Sequence, residues 1–182
     1  MRATATDLPE VLILEPVVYE DSRGYFFEAF NRRAFAEATG LTLDFVQDNE
    51  SRSGRGVLRG IHYQYPNPQG KLVRAIDGSI FDVAVDLRRS SPTFLRWVGI
   101  ELSAENRRQL WVPQGFGHAF LTLSDSARVL YKTTAEFESE SDRVVAWNDP
   151  DIGVAWNLDR PPVLSAKDAA APQTSTAPFL FP

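Results

Sequence analysis

The sequence predicts an all-β fold, most simply a jelly roll, with a few short helices. Three observations point there. Short apolar or alternating runs recur along the chain, with Gly, Pro, Asn and Asp clusters between them. One early stretch alone carries both a helical apolar face and caps at its two ends. No internal repeat and no linker divides the 182 residues, so the strands must close on one another within a single unit, as in a sandwich or barrel.

The elements follow in order. Val11–Leu14 and Val17–Tyr19 read as opening strands. The helix comes next: Asn31 can cap it, Ala34, Phe35 and Ala38 line one side, and Gly40 ends it. Leu58–Gln64, Lys71–Ile76 and Ser79–Leu87 read as strands, and Asp77-Gly78 between the last two is a two-residue hairpin signal. Within Ser79–Leu87, Phe81, Val83, Val85 and Leu87 alternate with Asp82, Ala84 and Asp86, the pattern of a strand with one buried face. Trp97–Leu102, Gln109–Val112, Ala119–Leu123, Arg128–Thr134 and Val144–Trp147 complete the strands. The Pro-, Ala-, Ser- and Thr-rich stretch after Pro161 is expected to pack on the outside as a C-terminal extension from about 161, with its last residues mobile.

Composition narrows the function classes. A hydrophobic fraction of 43%, with twelve Phe and four Trp, suffices for a sizeable aromatic core. No cysteine is present, so disulfides and thiol nucleophiles are excluded, which suits a reducing cytoplasm. The first residues lack the apolar run of a signal peptide, and no stretch approaches the ~20 apolar residues of a membrane span, so a cytoplasmic protein without membrane contact is expected. A net charge of −5 argues against binding nucleic acid by broad phosphate neutralisation. Locally, Arg52, Arg55, Arg59, Lys71 and Arg74 crowd around His62, and that cluster suits a small anionic ligand.

The chain has two histidines, His62 and His118, too few for a metal site of three or four His and Cys ligands. Four residues suggest proton chemistry instead. His62 can take a proton near neutral pH, Asp168 can orient a histidine ring, Tyr131 can deliver a proton, and Lys71 can offset an oxyanion. Each also has a plain structural reading. His62 can be a satisfied core histidine, Tyr131 can pack a strand, and Lys71 can be a strand-entry charge. Asp168 with Ser165 fits a capping box, and His118 after a Pro-x-Gly turn can cap a strand edge. Spacing alone assigns no enzyme.

A set of segments adds to this. Asp21-Ser-Arg-Gly-Tyr-Phe-Phe-Glu28, Phe45-Val-Gln-Asp-Asn49, Gly56-Val-Leu-Arg-Gly-Ile-His-Tyr-Gln64, Gln69-Gly-Lys-Leu-Val-Arg74, Phe81-Asp-Val-Ala-Val-Asp-Leu-Arg88, Leu130-Tyr-Lys-Thr-Thr134 and Leu164-Ser-Ala-Lys-Asp-Ala169 occur in order between about residues 8 and 172. Together they closely resemble the dTDP-4-dehydrorhamnose 3,5-epimerases. The resemblance implies a cupin-type jelly roll, a homodimer, and an isomerase that needs neither metal nor organic cofactor. Pro113-Gln-Gly-Phe-Gly-His118 looks like the second cupin signature, whereas the His-x-His of the first is missing, since Tyr63 and Gln64 follow His62.

The resemblance further implies the substrate and the roles. dTDP-4-keto-6-deoxy-D-glucose would be inverted at C3 and C5 to dTDP-4-keto-L-rhamnose through an enolate on O4. His62 would be the base, Asp168 its partner, Tyr131 the acid on the opposite face of the sugar, and Lys71 the support for the enolate oxygen. Arg23 and Arg59 would hold the pyrophosphate. Phe26, Glu28, Gln47, Asp48, Asn49, His118, Asp142 and Lys167 match substrate-contact positions, some of them reaching in from a partner subunit. Phe137 stands where the family usually has a Tyr that stacks on thymine, keeping the ring and losing the hydroxyl. Glu50 and Gly117 replace the usual His and Ala. Relatives that act at one carbon, and a non-catalytic nucleotide-sugar-binding cupin, are the alternatives. Strict alternation would put Arg59 and His62 on opposite faces of their strand, so both can serve one ligand only if the backbone bulges at Gly60 or subunits share sites.

Overall fold

A computed structural model describes residues 1–182 and shows two antiparallel sheets face to face, the jelly roll expected. In chain order the strands are β1 (Arg2–Ala5), β2 (Leu12–Glu15), β3 (Val18–Asp21), β4 (Gly24–Phe27), β5 (Gln47–Gly54), β6 (Leu58–Gln64) and β7 (Lys71–Asp77). They continue as β8 (Ser79–Asp86), β9 (Trp97–Ser103), β10 (Gln109–Val112), β11 (Phe116–Thr122), β12 (Ser126–Thr133) and β13 (Asp142–Val144). The helices are α1 (Arg32–Thr39) and α2 (Ala166–Ala169), and neither is long and apolar enough to cross a membrane. One sheet has the order β1-β2-β10-β7-β12-β5, the other β13-β6-β11-β8-β9, and β3-β4 stands apart as a two-stranded hairpin.

Three apolar clusters hold these layers. Val73, Ala75, Leu110, Val112 and Val129 of the six-stranded sheet meet Ile80, Ala84, Leu102, Phe116 and Phe120 of the five-stranded sheet. Each Val, Leu, Ile or Phe among them taken fully out of water contributes about 1.5–3 kcal/mol. On the outer face of the six-stranded sheet, Phe35 of α1 packs edge-on against Phe45 and Trp111. Asn31 caps this helix by accepting from Ala34 N–H at 3.1 Å, and Gly40 closes it in the left-handed region at φ 74°.

The outer face of the five-stranded sheet is covered by the chain's own C-terminal part. Val145, Ile152, Trp156, Ala177, Leu180 and Phe181 pack on Leu58, Tyr63, Val83, Val85 and Leu87. The covering segment thus begins before residue 161. Its end is not mobile as expected: Leu180 and Phe181 are buried, Phe181 bridges to Arg88, and its ring lies 5.6 Å from that of Tyr63. Apolar residues near the end supply the burial that the polar composition of the tail hides.

This cover corrects the expectation for β8. The strand has two buried faces, with Asp82 and Asp86 both at 0% exposure. Each buried carboxylate has partners, as burial demands. Asp86 accepts from Arg88, Ser91 and Thr93. Burial pushes its carboxyl up, but those hydrogen bonds outweigh it and hold the group at about 2. Asp82 accepts from His118.

Some element bounds also differ. The last short strand is Asp142–Val144 rather than 144–147, and β11 starts at Phe116, so His118 lies inside a strand and not at its edge. β5 consists of Gln-Asp-Asn-Glu-Ser-Arg-Ser-Gly, and without an apolar residue it gives no periodic signal.

Candidate active site

One cavity of about 450 Å³ opens between the two sheets. β6 and β11 build one wall. They pair with His62 directly opposite His118, so both histidines project to the same side. Two residues further along, Phe120 pairs with Arg59, so Gly60 and Ile61 face the single residue Ala119. This is a β-bulge, and it answers the question of faces: Arg59 and His62 both line the cavity. Gly60 is required there. Its φ is 122°, and a Cβ would lie 2.5 Å from that of Ala119. Gly117, on β11, has a similar constraint, because an added Cβ would collide with Ile61 Cγ2. The bulged Ile61 fills the space that a side chain at 117 would need.

α2 brings Asp168 to this wall. Its Oδ1 lies 2.8 Å from His62 Nε2, and Asp168 itself is buried. Ser165 Oγ donates to Asp168 Oδ2 at 2.7 Å and accepts from Asp168 N–H at 3.1 Å. The cap and the histidine pairing therefore coexist on one carboxylate. Burial pushes the Asp168 carboxyl up, but hydrogen bonds from His62 and Ser165 outweigh it and hold it below the ordinary value. An ionised carboxylate can only accept, so Nε2 carries a proton, and in the neutral tautomer this contact selects Nδ1 is the nitrogen with the free lone pair. Nδ1 lies 3.9 Å from Asp142 Oδ1, and Asp142 is ion-paired with Lys167.

The opposite wall comes from the six-stranded sheet. β7 supplies Lys71, and β12 supplies Tyr131. Lys71 is 9% exposed, and its burial lowers the ammonium to about 8 although Asp142 and Asp82 attract the charge. Burial also raises the Tyr131 phenol above its ordinary value, against the opposing pull of Arg59, so it stays protonated at neutral pH. The Tyr131 ring centroid is 6.5 Å from that of His118, and His118 Nε2 is 2.8 Å from Asp82 Oδ1. No three His, Cys, Asp or Glu side chains converge as metal ligands.

Towards the rim, Arg59 Nε donates to Ser53 Oγ at 3.0 Å, and Gln47 Oε1 accepts from Phe137 N–H at 2.8 Å. Phe137 lines the cavity with its ring half exposed. Gln47 also donates to Asn49, and neither of these two residues lines the cavity itself. Other expected contacts do not reach the site. Asp48 alternates to the far side of β5 and pairs with Lys132 at 2.8 Å. Arg23, Phe26 and Glu28 belong to or follow the exposed β3–β4 hairpin, where Arg23 pairs with Asp21 and Glu28 accepts from Asn31. Asp82, Ser51 and Ser53 also belong to the site's surroundings, though not among the residues expected there. The signal for Asp82 was present as a carboxylate inside an apolar strand. Ser51 and Ser53 sit in the unpatterned β5 and gave none.

A jelly roll that places a His–Asp pair, a buried lysine and a protonated tyrosine around one cavity is equipped for acid–base chemistry on a small ligand. The family model described as dTDP-4-dehydrorhamnose 3,5-epimerase matches residues 5–176, and the chain belongs to that family of isomerases. It is 57% identical over 168 residues to the dTDP-4-dehydrorhamnose 3,5-epimerase of Pseudomonas aeruginosa, covering 92% of this chain and 93% of that one. Among solved structures it is similar to a dTDP-6-deoxy-D-glucose-3,5-epimerase of Legionella pneumophila in complex with dTDP-4-keto-L-rhamnose. That match has a TM-score of 0.94 and 47% identity and covers 96% and 93% of the two chains. It is also similar to a 3′-monoepimerase of Streptomyces bikiniensis in complex with dTDP-quinovose, with a TM-score of 0.89, 36% identity and coverage of 97% and 88%.

Proposed function

We propose that this protein inverts C3 and C5 of dTDP-4-keto-6-deoxy-D-glucose without a metal or organic cofactor. The observation that carries this reading is the arrangement of proton-transfer groups: His62 stands on one sheet and Tyr131 on the facing sheet, with the cavity between them. The C4 ketone acidifies the hydrogens on C3 and C5. His62 Nδ1 takes the proton, and Asp168 balances the imidazolium charge through Nε2. The enolate charge that develops on O4 is met by the Lys71 ammonium, whose burial leaves it weakly screened by water. Tyr131 returns a proton from the other face, and the carbon inverts. His62 then releases its proton to solvent and Tyr131 regains one from it before the second carbon reacts, so the cycle balances with proton transfers alone and no redox partner is required.

The nucleotide end fits the same cavity. Arg59 and Phe137 line it, and on this reading the guanidinium holds the diphosphate and the ring stacks on the thymine. Arg23, Phe26 and Glu28 are supplied, on this reading, by a second copy of the chain. The exposed apolar side chains of the β3–β4 hairpin, Tyr19, Tyr25 and Phe26, support a homodimer in which the hairpin crosses to the neighbouring site. Mixing His62→Ala and Arg23→Ala chains should then restore activity that neither has alone.

The test of the reaction is to incubate EDTA-treated protein with dTDP-4-keto-6-deoxy-D-glucose and identify the product by NMR. Conversion to dTDP-4-keto-L-rhamnose is expected. Conversion only after a divalent metal is returned, or none in folded protein, would overturn the proposal.

A further inference from the structure

We propose that Ser53 is a positioning residue for the substrate diphosphate, acting through Arg59 and touching no substrate itself. The inference rests on the assignment of Arg59 to the diphosphate. β5 is an edge strand without an apolar residue, yet the side of it facing the other sheet is not idle. Ser53, the buried member of that row, accepts the Nε–H of Arg59 at 3.0 Å. The Arg59 Nη2 group also reaches the carbonyl of Arg52 at 3.5 Å.

Arg59 needs such a clamp. It occupies one side of the bulge opposite Ala119, where the strand departs from regular pairing, and its side chain is exposed. An unrestrained arginine would lose several rotamers on binding an anion. With Nε fixed on Ser53, the plane of the guanidinium is set before ligand arrives, and the outer N–H groups remain for two phosphate oxygens. The polar strand β5 thus has a reason to be polar: its inward row holds the Phe137 loop through Gln47 at one end and Arg59 through Ser53 at the other.

The experiment is a double-mutant cycle read by calorimetric binding of dTDP and of thymidine, with kcat and KM for the nucleotide sugar. Ser53→Ala should weaken dTDP binding and raise KM by about tenfold, the usual worth of a hydrogen bond to a charged group, while kcat and thymidine binding stay within about twofold. Ser53→Thr, which keeps the hydroxyl, should restore most of the loss. In an Arg59→Ala background, Ser53→Ala should change nothing further. Losses that add across the two positions, or an equal weakening of thymidine and dTDP, would show that Ser53 does not act through Arg59. Wild-type protein that bound dTDP no better than thymidine would instead overturn the diphosphate reading of the cavity, and the inference with it.

Discussion

His62 Nε2 and Asp168 Oδ1 lie 2.8 Å apart, and the same carboxylate accepts from Ser165 of its own helix cap. The two bonds can be separated by mutation. Asp168→Asn should keep the cap, because Ser165 Oγ still accepts the residue-168 N–H and an amide oxygen can still accept from that hydroxyl, but an amide cannot balance an imidazolium. Turnover should fall by roughly 10² or more while the melting temperature changes little. Ser165→Ala should do the reverse, costing about 1 kcal/mol of stability with a much smaller effect on rate. Steady-state kinetics beside thermal melts distinguish the two patterns.

His62→Ala removes the only histidine bonded to Asp168. A loss in kcat of roughly 10²–10⁴ is expected, with the jelly roll intact by circular dichroism. Near-normal turnover would remove His62 from the mechanism.

Lys71 makes a pH prediction of definite sign. Burial holds its ammonium at about 8, below the ordinary 10.5, so below pH 8 both folded and unfolded chains carry the proton and the folded state bears the cost of the buried charge. Between those two values the unfolded chain binds more protons, and this group makes stability rise with pH. Lys71→Met should therefore raise stability at pH 7, by on the order of 3 kcal/mol, with an advantage that shrinks as pH climbs towards 10.5. It should also abolish turnover. In the wild type, the proposed role of Lys71 at the enolate oxygen predicts that kcat/KM falls as pH passes about 8, where the cation is lost. Urea titrations of both proteins across that range, with a pH–rate profile, check both statements.

Gly60→Ala tests the bulge. The new Cβ meets Ala119 and sits at a positive φ, so a loss of at least about 2 kcal/mol is expected. Any folded remainder should show weakened dTDP binding, because the bulge is what turns Arg59 to the side of His62.

Much of this was legible from the chain. The jelly roll followed from recurring short strands, and α1 from Asn31 and Gly40 at its ends. His62 and Lys71 fell on strands with clear apolar patterns. Strand β5 escaped because its stability comes from ladder bonds to β12, which leave no mark on side-chain periodicity. The two-sided burial of β8 escaped because the C-terminal cover is remote in sequence, and alternation of Asp with Val looks the same whether the second face meets water or a partner such as His118. Whether Arg59 could join His62 depended on a bulge, and Gly60 alone marked the place without fixing the outcome.

The central claim, that His62 and Tyr131 exchange protons with both carbons from opposite walls of the cavity, is tested most directly in deuterated water. dTDP-4-keto-6-deoxy-D-glucose is turned over by wild-type protein and by Tyr131→Phe, and label is located by NMR. The wild type should place deuterium at C3 and C5 and yield dTDP-4-keto-L-rhamnose, whereas Tyr131→Phe should still exchange at least one position and invert poorly, because its base is intact. Label at C3 alone with C5 retained, or no label at either carbon despite binding, would contradict it.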